Sequence, residues 1–138
     1  MIVNLDQIRA RNALNAITAL GNNRGPWMAA HDGDIVSGLP NRILNHGLLA
    51  MLVYARSKVV DLNELGGYGN TFNAIAVHLS DHQNLVLPLQ NRDLQGLLEY
   101  LTRPDSTSDE LKAATAETMK FMQYLKRFVK ALPNPEGA

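Results

Sequence analysis

His78 and His82 stand four residues apart with Asp81 between them, and on a helix that spacing presents both imidazoles on one face, the beginning of a zinc site. The segment HLSDH lacks the glutamate that a metalloprotease places after its first histidine, and no third ligand follows downstream. It reads as a helix end with two solvated histidines and neither metal nor other cofactor; a metalloenzyme using His78, Asp81 and His82 is the catalytic alternative. His31 and His46 fall at loop or kink positions with nothing resembling a triad around them. Ser37, Ser57, Ser80, Ser106 and Ser108 occupy caps, helix surface or loops, and none sits in a G-x-S-x-G elbow. The absence of cysteine excludes disulfides, thiolate ligands and a cysteine nucleophile. Asp109 and Glu110 open a helix, where dipole and capping account for them. GGYGN at 66–70 has neither the preceding strand nor the lysine of a phosphate-binding loop, so it reads as a flexible connection. No enzyme signature emerges.

Positive charge is the chemistry that remains. Arg9 and Arg11 fall on a first helix, Arg42 at a kink, Arg56 and Lys58 at the end of a third helix, and Lys120, Lys126, Arg127 and Lys130 on the last. Gathered by packing, such residues would track a phosphate backbone in a salt-sensitive way that is blind to base sequence; composition alone favours scattered solvation charges. Formal net charge is zero, yet it is polarised. Residues 1–60 hold six basic against three acidic residues, 61–117 three against nine, and 118–138 four against one. That distribution points to one cationic and one acidic face.

The elements that must position these residues are helical. Thr115–Leu132 gives the strongest signal: Thr118, Phe121, Met122, Leu125, Phe128, Val129 and Leu132 make one apolar stripe, and Lys120, Gln123, Lys126, Arg127 and Lys130 take the opposite arc. Thr107 and Glu110 form a capping box ahead of it, while Thr115 offers a second cap, leaving one helix or two over 108–132. Asn4 caps a helix over 5–20, with Val3 and Ile8 placed as a staple. Asp34–Asn45 reads as a helix kinked or restarted at Leu39–Pro40. Gly47 separates it from Leu48–Lys58, the segment expected to be most buried. Thr71 or Asn73 caps a helix to about His82, and Asn91 caps Arg92–Thr102. Trp27, in the glycine-punctuated stretch 21–34, reads as a lid over the core rather than a base-stacking platform.

At 138 residues, 46% hydrophobic and only 6% aromatic, the chain is expected to form one all-α domain of five to seven helices over 1–132, with a flexible tail at 133–138. No leader pattern and no stretch of about 18 apolar residues stands out, so the expectation is a cytoplasmic protein with no membrane partner.

LDQIRARNAL, GLPNRILNHGLLAML, a polar loop with an acidic-capped helix, and ETMKFMQYLKRFVKAL, in that order, resemble the small helical subunit of the type III-B CRISPR (Cmr) effector complex. The matching positions are Arg9–Ala10, Leu39–Pro40, Asn45 to Leu48, Glu117 to Met119 and Leu125 to Val129, and the resemblance spans most of 5–132. Leu49 replaces the family's second glycine, and His78 and Tyr124 stand where tryptophans are often found. The resemblance implies a non-catalytic subunit that stacks on its own copies along a ribonucleoprotein filament beside other CRISPR effector subunits. It would help hold target RNA against guide RNA, sequence being read by base pairing. The residues assigned to RNA contact are Lys126, Arg127, Lys130, Lys120, Arg42, Arg9 and Arg11. A protein-interaction or adaptor bundle without a nucleic-acid role is the alternative.

Overall fold

A computed structural model describes residues 4–18, 29–59, 66–84 and 86–131. Six helices follow in order: α1 (Leu5–Thr18), α2 (Ala29–His46), α3 (Leu48–Lys58), α4 (Gly66–Leu79), α5 (Leu94–Thr102) and α6 (Ser108–Lys130). No strand occurs among the described residues, as the composition led us to expect. Trp27, Val3, Leu132 and the expected tail at 133–138 lie outside them.

Helix α4 is the axis of the fold, packing against α1, α2, α3, α5 and α6. Its sequence, GGYGNTFNAIAVHL, explains why: small residues let neighbouring backbones approach from several sides, while Phe72, Ile75 and Leu79, all fully buried, fill the space between them. GGYGN is therefore not a flexible connection but the first turn and a half of this helix. Gly66 sits at its start with φ of +68°, a left-handed conformation that glycine adopts without a Cβ penalty. The expectation that α3 is the most buried helix is also corrected, since Val53 is 50% exposed and only one face of α3 enters the core.

Helix α2 runs unbroken through Pro40, without the restart the sequence suggested. Proline removes one backbone donor and crowds the preceding turn, but Val36, Leu39 and Ile43 are buried around it and hold both halves on the same core. Gly47, at φ of +92°, then reverses the chain into α3. Helix α5 begins two residues later than expected. Its cap is Asp93, whose Oδ1 accepts from the Gly96 N–H at 2.7 Å. Asn73 caps this helix rather than its own, accepting from the Leu94 N–H at 2.6 Å.

Helix α6 is single and continuous, opened by the expected capping box of Thr107 and Glu110. Thr118, Phe121, Met122, Leu125 and Val129 are buried as the stripe required, packing on α1, α2 and α4. One hydrophobic core draws on all six helices.

Candidate functional site

A chain of polar side chains is enclosed where α1, α4 and α6 meet. Arg9 donates from Nε and Nη2 to the two carboxylate oxygens of Glu117, at 2.7 and 2.8 Å, a bidentate pair with both side chains about nine-tenths buried. Its Nη1 reaches Asp6 at 2.9 Å. The Glu117 Oε2 that accepts from Arg9 Nε also lies 2.8 Å from His78 Nε2, and His78 Nδ1 lies 2.9 Å from the Asn12 amide nitrogen. That amide also donates to Asp81 at 3.1 Å. A carboxylate only accepts and an amide NH2 only donates, so Nε2–H donates to Glu117 and Nδ1 accepts from Asn12, while the Asn84 amide nitrogen, 3.1 Å from the same Nε2, donates instead to the His78 carbonyl at 3.5 Å. The ring stacks on Phe121, centroids 4.3 Å apart and planes within 10°.

Electrostatics follow from this enclosure. Burial pushes the His78 pKa down, outweighing the opposing hydrogen bond and charge of Glu117, so the ring is neutral near pH 7. Burial also opposes the charge on Glu117, but hydrogen bonds from Arg9 and His78 overcome it and hold the carboxyl below its ordinary range. Asp81, partly buried, is held low by the Gln83 N–H, the Asn12 amide and Arg11 together. Arg9 is held firmly protonated by Glu117. The centre is thus closed on itself: each ring nitrogen of His78 has a partner and no face of the ring is open to a substrate.

This arrangement redraws the sequence-based assignments. Arg9, counted among surface cations, is only 7% exposed and neutralised inside the bundle, so it is not part of an outer basic face. Its phase gave a signal, since Arg9 precedes Ala13 and Ile17 at successive intervals of four, and both are buried. Glu117, matched by the resemblance at the start of the last motif, pairs with Arg9 and His78 inside the bundle. His78 and His82 do not share a face: α4 ends at Leu79, His78 is buried and His82 is exposed in the following turn. Among the described residues no group of three or more histidine, aspartate or glutamate side chains could hold a metal ion.

The other cations fall in separate places. Arg11 is half exposed and reaches Asp81 at 3.4 Å and Gln83 at 3.1 Å, beyond the C-terminal end of α4. Arg42 is exposed and donates to the Tyr68 hydroxyl, at the N-terminal end of the same helix. At 1.5 Å per residue the two ends of α4, Gly66 and Leu79, are about 20 Å apart, too far for one phosphate to bridge. Lys120, Arg127 and Lys130 are exposed on α6 and Lys126 is half buried. Among the described residues, none of these four has a carboxylate within ion-pair distance.

The molecule at this point is an all-helical bundle with a sealed polar centre and an α6 whose outer cations have no carboxylate partner among the described residues. A sequence model of the family described as CRISPR-associated protein (Cas_Cmr5) matches residues 5–132, and the chain belongs to that family, a Cmr5-type subunit of the type III-B CRISPR complex. Membership implies association with other CRISPR effector subunits. No curated protein and no solved structure matches the chain. No helix among the described residues is long and apolar enough to cross a membrane.

Proposed function

We propose that the chain is a non-catalytic subunit of the effector ribonucleoprotein in antiviral defence, stacking on its own copies and helping hold target RNA against the guide. The observation that carries this reading is the outer face of α6, where Lys120, Lys126, Arg127 and Lys130 stand without carboxylate partners among the described residues. Cations of that kind suit a phosphate backbone, with no base reading required. Arg11 and Arg42 are further candidates at other points of the surface, whereas Arg9 is withdrawn from the RNA-contact set. Exposed carboxylates of the acidic segment 61–117, such as Glu99 and Asp109, offer the next copy's basic face a complementary charge. A non-catalytic role agrees with a polar centre whose histidine has both nitrogens engaged.

The test is the pair Lys126→Ala with Arg127→Ala. Binding of single-stranded RNA at low salt should weaken roughly tenfold, and the slope of log affinity against log salt should fall by about 1.4 for two lost phosphate contacts on a single strand. Unchanged RNA binding together with unchanged assembly into the effector would overturn the assignment of this face.

A further inference from the structure

Helix α3 packs against α2, α4 and α5, whereas the cations of the reading above lie on α6, which packs against α1, α2 and α4. On the α3 side, three helices bring together two phenol rings and two cations. Tyr54 of α3 and Tyr68 of α4 meet edge to face, with centroids 5.3 Å apart and planes at 86°. Arg42 of α2 donates to the Tyr68 hydroxyl. Lys58, one turn beyond Tyr54, sets its ammonium 5.1 Å from the centroid of the Tyr54 ring. Tyr54 is 39% exposed, and Arg42 and Lys58 are exposed. Among the described residues neither cation has a carboxylate within ion-pair distance.

Each part has a physical consequence. The near-perpendicular contact with Tyr68 restrains Tyr54, while solvent still reaches the Tyr54 ring. Lys58 marks its electron-rich face, and the four-carbon lysine stem can swing the ammonium aside to a neighbouring anion. Arg42 gives Tyr68 one of its five N–H donors and keeps others for a second anion. A flat aromatic ligand flanked by two negative charges is what such a surface accommodates, and a nucleotide in a single strand has that form. A duplex does not offer it, because its bases are stacked on each other. An acidic peptide would engage the cations and leave the rings unused.

We propose that Tyr54, backed by Tyr68 and flanked by Lys58 and Arg42, is a stacking site for one base of single-stranded RNA. It rests on the RNA-holding reading above and adds a base contact that the α6 face does not supply. The full chain is titrated with a fluorescein-labelled oligouridine of about 12 nucleotides and with an abasic phosphodiester strand of equal length. Tyr54→Leu should weaken oligouridine binding about tenfold and leave the abasic strand unaffected, and Tyr54→Trp should restore it. Lys126→Ala with Arg127→Ala should weaken both strands alike. A 4-thiouridine strand irradiated on the unaltered chain should cross-link at Tyr54, an outcome that does not depend on a variant folding. If Tyr54→Leu binds oligouridine as the parent does, or loses both strands equally, base stacking here is overturned while the α6 reading stands. If the parent chain binds neither strand, both are overturned. Tyr54-dependent capture of polyglutamate in place of RNA would give the surface to a protein partner and overturn the proposal.

Discussion

Arg9, Glu117 and His78 show how one buried residue dictates the states of its neighbours. Glu117→Gln keeps an acceptor for the His78 N–H but leaves the Arg9 guanidinium enclosed without its counter-charge. The expected loss is roughly 3 kcal/mol, at the low end for a broken buried pair because Asp6 still reaches Arg9. Adding Arg9→Met removes the stranded charge, so the double variant should be more stable than Glu117→Gln alone. Urea denaturation of the four proteins gives the coupling, and simple additivity of the two losses would show that the pair is not energetically coupled. His78 sets a pH dependence of determined sign. Its folded pKa lies below the ordinary 6.5, so the unfolded chain binds the extra proton first and stability falls as pH drops below about that value. The titratable and charged groups around it are Glu117 on α6, Asp81 beyond α4 and Arg9 on α1. Asp81 and Glu117, held below their ordinary values of 3.8 and 4.5, add their own losses only in stronger acid. Urea midpoints between pH 7 and about 5 should decline for the parent and stay flatter for His78→Gln. Equal slopes would show that His78 is not the group responsible.

Among the elements, α6 was the most legible and α4 the least. The α6 stripe and its capping box read directly from spacing because amphipathic periodicity and local capping depend on neighbours within one turn. Thr107→Ala should lower stability by about 1 kcal/mol, measured by thermal or urea unfolding, through loss of the Glu110 N–H partner at the helix start. No change would mean that water serves this end equally well. In α4 the same local rules misled. Three glycines in five residues favour a loop by backbone entropy, yet packing on five helices makes their smallness an advantage. Pro40 reads locally as a kink or a restart; the restart does not occur, because Val36, Leu39 and Ile43 keep the helix whole through the core they share.

For the whole molecule, zero net charge proved a poor guide to the surface. What matters is which charges neutralise one another inside and which are left outside. Arg9 and Glu117 cancel within the bundle, and Arg11 is partly matched by Asp81. The α6 cations have no such partner among the described residues, nor do Arg42 and Lys58. The molecule thereby carries cationic groups both on α6 and around Tyr54 and Tyr68.

The sequence by itself determined the helical class, the capping of α1 by Asn4, whose Oδ1 accepts from the Asp6 and Gln7 N–H groups, the capping of α6, the buried stripe of α6 and the family resemblance. All of these rest on periodicity, on interactions within a few residues or on the order of motifs. Only the tertiary structure decided that Arg9 faces inward to a glutamate 108 positions away, that His78 parts company with His82, and that Arg42 meets Tyr68 beside Tyr54. Those outcomes depend on which helices touch and at what rotation, and a helix repeat fixes a residue's own face without fixing what lies opposite it.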